Sequence, residues 1–209
     1  MQTIWTSLLA FLLAASLLTV TPGLDTALVL RTAAGEGPRP AMLSALGIGV
    51  GCLAWAAVVA IGVGALLEAS HLAYTVLRLA GAVYLIWIGY RMLRHPRGAF
   101  LAGAPAARAA HAAFARGALT NLLNPKVGVF YVSFLPQFVP NGVAVGPYVM
   151  LLAAIHVVLG LIWFAFLITA TRSLTRWLQR SGVVTWLDRL TGGLFLTFGV
   201  GLAFESRRV

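Results

Sequence analysis

The sequence is short of the side chains on which most chemistry depends: its 209 residues include one cysteine, one lysine, five carboxylates and four histidines. Cys52 alone cannot build a disulfide framework, a Cys-x-x-Cys redox pair or a thiolate metal cluster, so a membrane thiol reductase is excluded and the residue reads as a small apolar filler. Too few His, Cys and acidic ligands remain for a transition-metal exporter, and neither a metal nor any other cofactor is expected. Gly-x-Ser-x-Gly and His-Glu-x-x-His are both missing, which disfavours an intramembrane hydrolase, and the chain reads as a non-enzyme. A Gly-x-x-x-x-Gly-Lys-[Ser/Thr] loop is missing too, which argues against ATP as a direct energy source. No Lys or Arg precedes Arg31, so the apolar start lacks the basic region of a cleavable leader.

Charge is scarce as well. Charged residues make up 10% and hydrophobic ones 60%, with a mean hydropathy of +0.93, whereas about 25% of a soluble domain is charged. The longest polar segment, 91–116, is mostly alanine and arginine. A single polytopic all-α membrane domain over 1–209 is therefore expected. The formal net charge of +10 is carried by arginines that fall mostly between apolar runs. There they would meet lipid headgroups and set orientation, which points away from nucleic acid.

The apolar runs predict six spans, about 4–30, 40–67, 72–93, 117–139, 148–171 and 183–204, each long enough against the roughly 20 residues a crossing needs. From 117 to 171 the only formal charge is Lys126, and Pro136, Pro140-Asn141-Gly142 and Gly146-Pro147 supply turn chemistry in the middle. Arginines fall after spans one (Arg31, Arg39), three (Arg91, Arg94, Arg97, Arg108, Arg116) and five (Arg172, Arg176, Arg180), and the gaps after spans two and four have none. That alternation places the odd-numbered loops in the cytoplasm and both termini outside, with Arg207 and Arg208 as the exceptions.

The halves resemble each other. Residues 78–85 match 189–196, with Arg, Leu, Gly and Leu in register and an aromatic facing an aromatic. Span one is interrupted at Thr21-Pro22-Gly23 and span four at Asn124-Pro125-Lys126. Two units of three spans (about 1–93 and 117–209, joined by a cytoplasmic connector at about 94–116) have opposite orientations, the pattern of inverted repeats in secondary transporters.

Proline removes a backbone donor and frees the carbonyl four residues earlier. In hydrocarbon those groups need partners, so broken helices persist where they line a cavity or pack in protein. A charge adjoins each break: Asp25 follows Pro22 by three residues and Lys126 follows Pro125 directly. At 1.5 Å per residue they lie roughly 9 and 15 Å in from the same side. Ionisable groups at membrane depth are functional candidates, and two readings stand: a substrate site, or a static buried ion pair. The proline breaks favour the site, because a static pair needs no unwound backbone.

A zwitterionic α-amino acid suits such a place. Lys126 and the N–H groups where a half-helix restarts would hold its carboxylate, and Asp25 would hold its ammonium. Asn121 and Asn124 would add hydrogen bonds or cap the break. His156, the only histidine within a span, is either a proton relay or a hydrogen-bonded packing residue, with packing favoured. Arg78 and Arg189 are read as reaching for headgroups. Gly47-x-x-x-Gly51 marks a close helix approach, within one chain or between two, so a homodimer stays open.

Residues 21–30 (Thr-Pro-Gly-Leu-Asp-Thr-Ala-Leu-Val-Leu), followed by Gly37, Arg39 and 46–51, resemble the first signature of the LysE/RhtB family of bacterial amino-acid exporters. Residues 81–89, then 124–131 with 134–139, resemble its second and third, in order and spacing. The resemblance implies efflux of amino acids or close derivatives across the bacterial inner membrane, in exchange for protons. It carries the break role to Pro22, Gly23 and Pro125, and the polar-site role to Asp25, Asn124 and Lys126. Many members have Pro-Gly-Pro at the first break, where this chain has Pro22-Gly23-Leu24. The motifs do not choose between neutral and basic amino acids. A non-transporting membrane scaffold is the alternative of a different class.

Overall fold

A computed structural model of the chain describes residues 4–69, 71–95, 110–170 and 181–204. All regular structure among them is helical. Helix α1 (Ile4–Val20) stops at Thr21-Pro22-Gly23 and α2 (Leu24–Gly35) resumes at an angle of 50°. A turn at Gly37, whose φ of 97° suits a residue without Cβ, leads into α3 (Pro38–Ala69). Then come α4 (His71–Arg94), α5 (Ala110–Leu122) and the five-residue α6 (Pro125–Val129). A π-helical turn over Phe130–Phe134 and a 3₁₀ turn over Leu135–Phe138 complete that segment, followed by α7 (Val145–Thr169) and α8 (Ser181–Phe204).

Among the described residues, Pro38–Gly62 and Val145–Thr169 are long and apolar enough to cross a membrane, and the bent α1–α2 pair is a third candidate. The other segments expected to span are helical too. Three boundaries differ from expectation. The first apolar helix continues past 30 to Gly35, α3 begins at Pro38 with Arg39 already inside it, and α5 begins seven residues before Gly117. In each case arginine, a good helix former, extends the helix beyond the apolar run. The expected amphipathic stretch at Arg172, Arg176 and Arg180, and most of the 94–116 connector, lie outside the described residues.

The packing relies on small residues. A Cβ at Gly47 would collide with the Phe114 carbonyl, one at Gly117 with the Ser44 carbonyl, and one at Gly51 would lie 2.7 Å from Asn121 Oδ1. Ser44 Oγ also donates to the Ala113 carbonyl at 3.0 Å. The Gly47-x-x-x-Gly51 face is thus occupied by α5 of the same chain, with backbones in near contact. Helices α4 and α8 pack antiparallel in the same manner, Gly89 against Gly192 and Ala82 against Gly199. Trp5, Leu9 and Leu13 on α1 and Ile162 and Phe166 on α7 point outward, as a lipid-facing surface requires, while Phe11, Leu30, Tyr131, Leu135, Leu152 and Leu167 fill the interior.

At one end of the molecule Tyr148 Oη donates to Ser7 Oγ at 3.1 Å, and Ser7 Oγ donates to the Phe138 carbonyl. That chain joins α7, α1 and the end of the broken fourth segment. At the C-terminal end of α2, Arg116 Nη2 meets Glu36 Oε1 at 2.7 Å.

Candidate functional site

Helix α1 ends because Pro22 brings no N–H, so the carbonyl it would have bonded, that of Leu18, loses its helical partner. The Lys126 ammonium donates to this carbonyl at 3.3 Å and to that of Thr21 at 3.1 Å. A Cβ added at Gly23 would come within 3.7 Å of Lys126 Nζ, so the glycine keeps the approach open. The lysine beside the second break thereby serves the backbone of the first.

At the second break Asn124 caps α6: its side-chain oxygen accepts from the Lys126 N–H at 3.1 Å, and its carbonyl accepts from the N–H groups of Val127 (3.1 Å) and Gly128 (3.0 Å). Pro125 at the first helical position has no N–H to satisfy. The expectation that free amides at this restart await a carboxylate is therefore corrected, since Asn124 consumes them. At the other restart Gly23 caps α2 without any side chain. Asn124 thus caps α6 from the same segment that brings Asn121 to the cavity.

Asp25 lies in the first turn of α2, 9% exposed, where the positive end of the half-helix favours a carboxylate. Its Oδ2 accepts from Asn121 Nδ2 at 2.8 Å. The same Nδ2 lies 3.4 Å from Cys52 Sγ. Asp25 Oδ1 and Asn121 Oδ1 are buried with no hydrogen-bond partner among the described residues. Buried acceptors left open in this way are costly unless something else satisfies them.

Asp25, Asn121, Asn124, Lys126 and His156 line one open cavity, together with Gly23, Thr21, Cys52 and a mainly apolar wall from α3 and α7. All the site residues expected from sequence except Pro22 and Pro125, which shape the breaks, stand at its surface. His156 contributes from α7, and its Nδ1 shares a hydrogen bond with Tyr131 Oη at 2.9 Å. The phenol comes from the π-helical turn, where the wide ring displaces Tyr131 from a regular helical position.

Sequence reasoning missed Tyr131, and it took Cys52 for filler although the thiol contacts Asn121. It also missed the apolar lining. Positions 156, 157, 160, 161 and 164 of α7 all face the cavity, and their helical spacing would have marked that face once His156 had been singled out. Among the described residues no group of His, Cys, Asp and Glu is placed to hold a metal ion.

Residues 16–206 match the family model described as "LysE type translocator". The threonine efflux protein of Escherichia coli (strain K12) is 32% identical over 189 residues, which cover 88% of this chain and 90% of that protein. The leucine efflux protein of Enterobacter sp. (strain 638) is 30% identical over 204 residues, covering 92% of this chain and 93% of the relative. An uncharacterized membrane protein of Bacillus subtilis (strain 168), YrhP, is 28% identical over 93% of this chain and 97% of its own length. No solved structure matches the chain. With the family model spanning nearly the whole sequence and both proline breaks inside it, the chain belongs to the LysE type translocator family.

Proposed function

We propose that the protein is a secondary transporter that exports amino acids from the cytoplasm, binding them in the cavity between the two broken helices and exchanging them for protons. The observation that carries this reading is the composition of that cavity: one carboxylate and one ammonium, brought from opposite halves of the chain to two unwound helix ends, with buried acceptors left open beside them. Relatives named as threonine and leucine efflux proteins support the amino-acid part.

In this mechanism the α-ammonium of the substrate meets Asp25 Oδ1, and its α-carboxylate meets Lys126 and the uncapped start of α2. With the cavity empty, Asp25 and Lys126 offset one another's charge, and the substrate brings an equal and opposite pair, so binding does not leave either charge buried alone. Protonation of Asp25 on the outer side weakens the ammonium contact and releases the substrate. His156, on the α7 wall of the same cavity, is hydrogen-bonded to Tyr131 and keeps the packing role favoured from sequence. The architecture that goes with this is six spans in two inverted repeats with cytoplasmic odd-numbered loops, in a bacterial inner membrane. The antiparallel packing of α4 on α8, the third helix of each unit, fits that arrangement.

The test is counterflow in proteoliposomes with labelled amino acids. Accumulation of label driven by an outward gradient of the unlabelled amino acid is expected. A scaffold without transport activity gives none.

A further inference from the structure

The polar groups of the cavity are not spread evenly. Asp25, Asn121 and Lys126 come from α2, α5 and α6, whereas α3 and α7 contribute mainly Ile48, Val157, Leu161 and Phe164, with Cys52 and the Tyr131-bonded His156 as their only polar groups among the described lining residues. Asp25 is the only carboxylate and Lys126 the only ammonium among the described lining residues. Once the α-ammonium and α-carboxylate of a bound amino acid have used them, a cationic side chain meets no second carboxylate and an anionic one no second cation. An unpaired charge in such surroundings is strongly disfavoured. An aliphatic side chain, by contrast, gains from the wall.

Room on that wall is set by two glycines. A Cβ at Gly49 would lie 3.1 Å from Val157 Cγ1, so α3 and α7 are already in contact there. Gly160 differs. A Cβ there would meet no atom within 4 Å, although the residue lies at the centre of the α7 face that lines the cavity, between His156, Val157, Leu161 and Phe164. The open space at residue 160 is therefore cavity, and any side chain placed there removes volume from it.

Resting on the exporter reading above, we infer that the cavity selects an amino acid with an uncharged aliphatic side chain directed at the α7 wall, and that residue 160 sets the upper size limit. A methyl group added at 160 takes the place of one on the substrate. Discrimination of about tenfold or more follows from one methylene in a filled apolar pocket.

The experiment is counterflow of labelled leucine in proteoliposomes of the full chain, with alanine, valine, lysine and glutamate as competitors, for the parent, Gly160→Ala, Gly160→Leu and Gly62→Leu. In the parent, valine should compete with leucine while lysine and glutamate compete at least about tenfold more weakly. Gly160→Ala should shift preference from leucine toward alanine by about tenfold, and Gly160→Leu should lose leucine exchange while keeping alanine. Gly62, exposed on α3, where an added Cβ would meet no atom within 4 Å, serves as the control whose replacement leaves the profile unchanged. Alanine forms helix better than glycine, so Gly160→Ala decides the matter if Gly160→Leu fails to fold. Lysine or glutamate competing as well as valine would overturn the aliphatic selection. An unchanged preference in folded Gly160 variants would overturn the size limit. Absence of exchange with every amino acid in the parent would overturn the exporter reading, and this inference with it.

Discussion

The ammonium of Lys126 donates at 3.3 Å to the carbonyl of Leu18, the acceptor that Pro22 strips of its helical donor. One broken helix is thus repaired from the other, and a residue that carries charge for the site also holds the backbone of the break. In the proposed mechanism, stability and function are therefore tied at this position.

Replacing Lys126 by Met should expose that double role. Two carbonyls lose their donor, at a cost of about 1–3 kcal/mol for each acceptor left buried and unsatisfied, so the detergent-solubilised protein should melt at a lower temperature and transport should cease. Lys126→Arg keeps a donor and the charge and should recover much of the stability. Equal melting temperatures for parent and Lys126→Met would show that the carbonyls depend on other partners.

Asn121 orients Asp25, and Gly51 leaves space for Asn121. Asn121→Ala removes a hydrogen bond to a charged group, worth about 1.5–3 kcal/mol, and should raise the substrate concentration needed for half-maximal exchange by at least tenfold. Gly51→Ala drives a Cβ toward an atom 2.7 Å away and should act in the same direction without touching either residue chemically. Exchange kinetics in proteoliposomes check both, and a normal half-saturation in folded Gly51→Ala would separate Asn121 placement from binding.

Asn124 is assigned a cap rather than a substrate contact. Asn124→Asp and Asn124→Ser keep a side-chain acceptor at the cap position and should retain transport, whereas Asn124→Ala should lower stability by about 1 kcal/mol and reduce transport in proportion. Loss of transport in a stable Asn124→Ser variant would return the residue to the binding role expected from sequence.

How much of this was legible beforehand follows from the physics of each feature. The two breaks were, because proline acts through its own missing N–H and needs no tertiary context. The gathering of Asp25 and Lys126 at one cavity followed from depth counted along the helices. What the linear sequence hides is the exchange of partners: that Lys126 serves Leu18 and Thr21, and that Asn121 reaches Asp25, depends on how the helices cross. The π-helical turn at Phe130–Phe134 leaves no sequence signature either, so Tyr131 and its bond to His156 were invisible. Helix ends at Gly35, Pro38 and Ala110 were misjudged because hydropathy measures where lipid contact stops, while the helix continues through arginines that can reach headgroups.

The proposed orientation is checked by labelling. On a Cys52→Ser background, in which the hydroxyl can still accept from Asn121, a cysteine at Asn141 should react with an impermeant thiol reagent added outside, and one at Gly103 should not. The reverse pattern would invert the topology.

The most direct test of the central claim is export driven by an inward proton gradient in proteoliposomes, compared with gradient-free exchange, for Asp25→Asn beside the parent. Asparagine keeps the shape and can still accept from Asn121, but it holds no titrating proton. The account predicts that the parent exports faster under the gradient, and that folded Asp25→Asn loses this acceleration while retaining weak exchange. Acceleration by the gradient equal to that of the parent in Asp25→Asn would contradict it, leaving Asp25 a structural residue and the proton route elsewhere.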